Sequence, residues 1–216
     1  MNKTIKSFSK ARSRSSIKNK DLLNDANREI FQKEENFKDF KFLIDESKIN
    51  NLEIGFGDGK HLYEMATLRP EENFIGVEVF ESGLANTYKK IVLNKIKNLS
   101  IVQGDIVQII KKNESIEIFD RMYILFPDPW PKSKHKKRRL LKERFLSKVN
   151  DLIKKNGTLI IKTDWQDYAE EIEINLKKMN FEFNINYLEN LFKTKYEQIA
   201  IDEDRTIVNF EVQIKS

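Results

Sequence analysis

From about residue 50 the chain alternates short apolar runs with longer amphipathic stretches. Asn51–Gly57, Asn73–Val79, Leu99–Gly104, Phe119–Phe126 and Gly157–Thr163 are rich in Ile, Val, Leu and Phe and have the length of strands. Between them, Lys60–Thr67, Ser82–Lys97 and Lys137–Lys154 space their apolar residues at helical intervals. Parallel strands need crossover helices and are covered on both faces, so this alternation predicts an α/β, Rossmann-like fold with a mostly parallel sheet and helices on both faces. The ending differs. Phe181–Leu188 and Thr206–Ile214 are both strand-like with only a loop between them, and Val208, Phe210, Val212 and Ile214 alternate with Asn209, Glu211 and Gln213. That period of two predicts a terminal antiparallel hairpin. Upstream, Asp21 to Ser47 suggests one or two helical pieces. Residues 1–20, rich in Ser and Lys and without apolar periodicity, predict a basic flexible arm on a single domain of residues 21–216.

Charge changes this picture. The net charge of +5 over 216 residues conceals a strong asymmetry. Residues 1–20 carry seven Lys or Arg and no acid, and residues 132–148 carry nine against Glu143 alone, so the remaining chain is acidic. Two basic segments on an acidic body predict a polyanionic partner held at defined places, although a charge run can also be simple solvated surface. In a chain that favours Lys, the adjacent Arg138 and Arg139 stand out as phosphate forks. The absence of cysteine excludes a disulfide framework and thiolate zinc sites. His61 and His135 make no metal pair with any clear spacing, so no metal is expected. With no signal-peptide pattern and no apolar run of spanning length, a cytoplasmic protein without membrane contact is expected.

The candidate chemistry lies at strand ends. Glu53-Ile54-Gly55-Phe56-Gly57-Asp58-Gly59 closes the first strand and opens a helix, with Gly55 and Gly57 permitting a sharp turn and close approach of a ligand. Lys60 stands where the dinucleotide fingerprint needs Gly or Ala, which argues against a pyrophosphate. An acid before the glycines suits a cationic ligand such as S-adenosylmethionine. Glu78, about twenty residues on, is placed to accept ribose hydroxyls, and Asp105 to reach an adenine amine; each could also be a surface or turn acid. The rigid run Phe126-Pro127-Asp128-Pro129-Trp130-Pro131-Lys132 sets one carboxylate and one ammonium beside the basic stretch Lys134, His135, Lys136, Lys137, Arg138 and Arg139. An Asx-type turn would also explain Asp128, and Trp130 reads either as core or as a stacking surface for a base. Asp164 reads as a further rim acid or as a helix cap, and Thr194-Lys195-Tyr196-Glu197 reads as an ordinary loop.

These motifs resemble those of the bacterial tRNA (guanine-N7)-methyltransferases. Glu-Ile-Gly-Phe-Gly at 53–57, Gly-Val-Glu-Val at 76–79, Phe-Pro-Asp-Pro-Trp-Pro-Lys at 126–132, His-x-Lys-Arg-Arg at 135–139, Thr-Asp at 163–164 and Thr-x-Tyr-Glu at 194–197 follow that family's order. The resemblance implies a class I methyltransferase fold with a seven-stranded sheet and an antiparallel C-terminal strand. It also implies S-adenosyl-L-methionine as methyl donor and guanosine 46 of the tRNA variable loop as acceptor. On it, Glu53, Gly55, Gly57, Glu78, Asp105 and Asp128 bind the donor, and Asp128 is catalytic. Lys132, Asp164, Thr194 and Glu197 bind the guanosine, Lys134–Arg139 contact tRNA, and the protein acts as a monomer or homodimer. Lys134 departs from the family's usual Arg, and Asp105 sits where the family varies. A nicotinamide-dependent oxidoreductase and a noncatalytic RNA-binding protein are the rival readings.

Overall fold

A computed structural model describes residues 17–114, 116–186 and 194–215. The chain divides into two compact units, Met1–Ser115 and Ile116–Ser216.

The first unit contains helix α1 (Ile17–Asn24), strand β1 (Phe31–Lys33), a 3-10 turn at Phe40–Phe42, β2 (Asn50–Ile54), α2 (Lys60–Leu68), β3 (Asn73–Glu78), α3 (Glu81–Leu93), β4 (Leu99–Gln103) and α4 (Ile106–Lys112). Its strands lie in the order β1-β4-β3-β2 and pair in parallel throughout. Every residue of β2 and β3 is buried, including the polar Asn50, Asn51, Glu53, Asn73 and Glu78 that flank or interrupt their apolar residues. Helix α3 buries Leu84, Ala85, Tyr88 and Ile91, a helical stripe facing β3 and β4. It stops where Lys95 adopts φ 53° and Ile96 N–H returns to the Ile91 carbonyl at 3.0 Å, a Schellman-type closure.

The region before β2 departs from the sequence expectation. Instead of helical pieces across Asp21–Ser47, the chain forms α1, the short strand β1 and the 3-10 turn, and α1 begins within the segment assigned to the arm. Side-chain hydrogen bonds shape this stretch: Asp39 accepts from Lys41 N–H at 2.8 Å and from Glu114 N–H at 2.8 Å, and Asn113 accepts from Phe40 N–H at 3.0 Å. Phe37 and Phe40 are buried in edge-to-face contact. The rest of the arm, residues 1–16, lies outside the described residues.

The second unit contains β5 (Phe119–Leu125), a 3-10 turn at Ser133–Arg138, α5 (Glu143–Leu152), β6 (Ile153–Thr163), α6 (Gln166–Lys178), β7 (Glu182–Asn186), α7 (Lys195–Asp202) and β8 (Val208–Gln213). Its order is β5-β6-β8-β7. β5 and β6 run parallel through the α5 crossover, whereas β8 is antiparallel to both β6 and β7. The expected antiparallel ending is present, but helix α7 stands where only a loop is predicted. Helix α5 starts at Glu143 rather than Lys137, because the basic run winds as the 3-10 turn. The described residues hold eight strands against the seven expected, β1 being the addition.

Candidate active site

Register builds a cluster of candidate residues within the first unit. In the parallel pairs Glu53 lies beside Gly76, Ile54 beside Val77, and Glu78 beside Gln103, so β2, β3 and β4 deliver Glu53, Glu78 and Asp105 to one edge. Gly55 and Gly57 follow β2 at φ 74° and 60°, conformations that glycine adopts without steric penalty. A Cβ added at Gly55 would meet nothing within 4 Å, so the loop leaves open space at that point. Glu78 braces the loop: its carboxylate accepts from Gly57 N–H at 2.7 Å, Val79 N–H at 2.6 Å and Phe80 N–H at 2.9 Å. Glu53 is buried, and its Oε2 lies 2.8 Å from His61 Nδ1 on α2. Asp105 caps α4 by accepting from Val107 N–H at 2.9 Å, while its own N–H donates to Glu34 Oε2 at 2.9 Å. An acidic edge beside an open glycine turn fits a ligand that carries an ammonium, a sulfonium and ribose hydroxyls.

In the second unit Leu125 lies beside Lys162, and Phe126 N–H donates to the Lys162 carbonyl at 2.8 Å. The Phe126–Lys132 turn therefore leaves β5 next to the end of β6. Phe126 and Trp130 both hold positive φ, 51° and 45°, each at a cost on the order of 1–2 kcal/mol, and Asp128 is exposed between them. Strain of this kind persists where surrounding contacts over-determine the backbone, and it clusters at functional sites. Trp130 is half-buried; Arg138 lies over its ring at 5.0 Å and His135 meets it edge-on, so the basic run packs against it.

Asp164 does not cap α6, which starts from Trp165; it pairs instead with Arg205. Arg205 follows α7 through the left-handed residue Asp204, with its N–H bonded to the Ala200 carbonyl at 2.8 Å. Thr194 caps α7 by accepting from Glu197 N–H at 2.9 Å, and the buried Glu197 carboxylate meets buried Lys162 Nζ at 3.3 Å. Burial pulls the Lys162 ammonium below its ordinary pKa, partly offset by Glu197. Tyr196 stacks on Phe126 with ring centroids 6.4 Å apart, which ties α7 to the start of the turn.

The basic run divides by direction. Lys132, Lys134 and Lys137 are exposed. Lys136 Nζ bonds Asp167 at 2.5 Å, and the Arg139 guanidinium, only 1% exposed, pairs with Asp167 and with Glu171. Arg139 is therefore not the outward phosphate fork expected from the sequence: two carboxylates of α6 hold it inward. Partial burial, then the charges of Arg138, Lys134, Lys132 and Lys137, keep His135 below its ordinary pKa. Sequence reasoning missed Lys162 and Arg205, the partners of two proposed site acids, and treated His61 as bland. Among the described residues no group of three or more His, Cys, Asp or Glu could hold a metal ion, and no helix is long and apolar enough to cross a membrane.

A family model described as "Putative methyltransferase" matches residues 47–210. A bifunctional methyltransferase of Rickettsia typhi is 38% identical over 203 residues, 90% of this chain and 37% of that protein. A tRNA (guanine-N(7)-)-methyltransferase of Nitrosococcus oceani is 38% identical over 122 residues, 56% of this chain and 52% of the relative. That of Burkholderia mallei is 41% identical over 121 residues, 56% and 46%. The chain thus spans between about a third and a half of the length of these curated relatives. Among solved structures, the 16S rRNA methyltransferase KamB superposes with a TM-score of 0.63 at 14% identity, covering 82% of this chain and 93% of that one. An antibiotic-related methyltransferase gives 0.57 at 22%, covering 81% and 91%. These likenesses bear out the Rossmann-like class I fold, and the curated relatives bear out the resemblance drawn from the motifs.

Proposed function

We propose, from the premise that the chain belongs to this methyltransferase family, that it methylates N7 of a guanosine in tRNA, at position 46 of the variable loop, with S-adenosyl-L-methionine as donor. The observation that carries the reading is the Phe126–Lys132 turn: a carboxylate held between two strained residues, at a strand end, running directly into a cationic segment. In the first unit, Glu53, Gly55, Gly57, Glu78 and Asp105 hold the donor, with the glycine turn admitting it closely and the acids matching its cationic and hydroxyl groups. In the second, Lys132, Asp164, Thr194 and Glu197 hold the guanosine, and Lys134 to Arg138 hold the RNA backbone.

When bound, S-adenosylmethionine supplies an electrophilic methyl group on a positively charged sulfur. Guanine N7 has an in-plane lone pair and carries no proton at neutral pH, so no base is needed to create the nucleophile. The N7–C bond forms as the C–S bond breaks, sulfur keeps the electron pair, and the positive charge passes to the purine. The residues contribute alignment, for which effective molarities allow about 7–11 kcal/mol, and electrostatic stabilisation of the cationic base by Asp128. Asp164 and Glu197 accept from base N–H groups. Where tertiary pairing covers N7, presenting it to the donor displaces the base, and the RNA-binding segment offsets that cost.

Incubation with labelled S-adenosylmethionine and a tRNA transcript, followed by nuclease digestion and mass spectrometry, tests the reading. Label is expected at N7 of the variable-loop guanosine and absent from a transcript with adenosine there. Equal labelling of the two transcripts would reject the position, and an unchanged single-turnover rate in Asp128→Ala would reject the role of Asp128.

A further inference from the structure

The basic run ends in a residue that bonds the candidate catalytic turn rather than facing outward. Arg139 Nε donates to the Pro129 carbonyl at 2.8 Å, Nη1 donates to Glu171 Oε2 at 2.6 Å, and Nη2 donates to Asp167. Its guanidinium carbon lies 4.7 Å from the centre of the buried Tyr168 ring. The next residues are fixed to the same helix: Leu141 N–H donates to Tyr168 Oη at 3.1 Å, and its carbonyl accepts from Asn175 at 2.9 Å. Helix α6 therefore serves as a base on which Arg139 is rigidly mounted.

Pro129 separates Asp128 from Trp130. It has no N–H, so its carbonyl is its only backbone hydrogen-bonding group. That carbonyl belongs to the peptide plane leading into Trp130 at φ 45°. A charge-assisted bond to the oxygen fixes the plane and opposes its rotation to a relaxed conformation. The neighbouring carboxylate is carried on that plane's preceding residue.

We infer that Arg139 is a positioning residue for Asp128: it acts through the Pro129 carbonyl, with Asp167 and Glu171 orienting the guanidinium, and makes no contact with RNA. This rests on the proposed function for its rate readout, but not for its structural one. Lysine offers a point charge without the fork, so Arg139→Lys is the informative variant, and Lys137→Ala on the exposed side of the same run is the comparison.

Four quantities decide it: tRNA affinity across a salt series, the single-turnover methylation rate at saturating tRNA, amide hydrogen exchange at Asp128 and Trp130 in the free protein, and the melting temperature. Arg139→Lys is expected to keep tRNA affinity within about twofold and the salt slope unchanged, to accelerate exchange at both amides, and to lower the saturated rate roughly 10- to 100-fold. Lys137→Ala is expected to weaken tRNA binding and leave the exchange rates alone. Loss of affinity in Arg139→Lys with wild-type exchange at both amides and a wild-type rate at saturation would overturn the inference in favour of a phosphate contact. If Arg139→Lys does not fold, Glu171→Gln should show the same signature more weakly; wild-type exchange and rate there would equally overturn it. If the wild-type protein leaves guanine N7 unmethylated, the proposed function fails, and the exchange rates still decide the role of Arg139.

Discussion

Lys162 Nζ lies 3.3 Å from Glu197 Oε1, with both side chains buried, so a strand residue and a helix residue share a desolvated ion pair. Removing one partner leaves the other charged and unpaired in a dry site, which typically costs about 3–5 kcal/mol. Lys162→Met and Glu197→Leu are each expected to fall in or somewhat below that range by urea denaturation. Lys162→Met combined with Glu197→Leu should recover most of the loss, since an apolar pair of similar volume needs no desolvation. A double variant as unstable as the sum of the singles would show that the two residues do not interact.

The ion pair also marks where the sequence was readable and where it was not. Strand β3 was legible because its centre, Phe74 to Val77, is apolar and buried, and β2 because Leu52 and Ile54 lead directly into the glycine turn. Lys162 interrupts such a run, and its cation taken alone reads as surface. The signal available was its place inside Leu-Ile-Ile-Lys-Thr, a strand with no exposed face at that end. Helix α7 carries a capping-box spacing, Thr194 followed three residues later by Glu197, which identifies a helix start more directly than a loop. Nothing local separates Arg138 from Arg139. The 3-10 turn does, because its period of three aligns Lys136 with Arg139, and both reach Asp167. β1 has only three residues, too short for any periodicity to register.

Gly83 is expected to be more sensitive than Gly55. A Cβ at Gly83 would stand 1.8 Å from the Gly57 carbonyl oxygen, a backbone atom of the proposed donor loop, so Gly83→Ala must displace that loop. At Gly55 the added carbon enters open space and the penalty is the positive φ, about 1–2 kcal/mol. Calorimetric titration with S-adenosylmethionine should show roughly tenfold or greater weakening in Gly83→Ala, in line with the cost of misplaced binding groups. Donor affinity equal to wild type in that variant would remove the loop from the binding site.

Within the basic run, exposed and committed lysines should differ. Lys134 and Lys137 are exposed, whereas Lys136 already bonds Asp167. Neutralising Lys134 or Lys137 should reduce the salt slope of tRNA binding by about 1 each, the value for a single phosphate contact. Lys136→Ala should reduce it by less. Equal slopes for all three variants and wild type would separate this segment from RNA binding altogether.

The Asp167 carboxyl lies below its ordinary 3.8, first because Lys136 and then because Arg139 donate hydrogen bonds to its charged form. A carboxylate whose folded pKa is depressed binds fewer protons folded than unfolded. Its stabilising contribution is therefore complete above the unfolded value and disappears as pH falls through the folded one. The stability difference between wild type and Asp167→Asn should accordingly be constant from neutral pH down to about 5, narrow below 3.8, and reach its minimum in strong acid. The side chain is 47% exposed, so solvent screening keeps the total modest, and added salt should shrink it. Urea midpoints at a series of pH values measure the gap, and carbon-13 titration of the carboxyl locates the folded pKa. A gap that persists undiminished to pH 2 would mean that Asp167 stabilises the fold through its shape and not its charge. Arg139 would then be oriented by Glu171 alone, and Glu171→Gln should accelerate exchange at Trp130 as much as Arg139→Lys does.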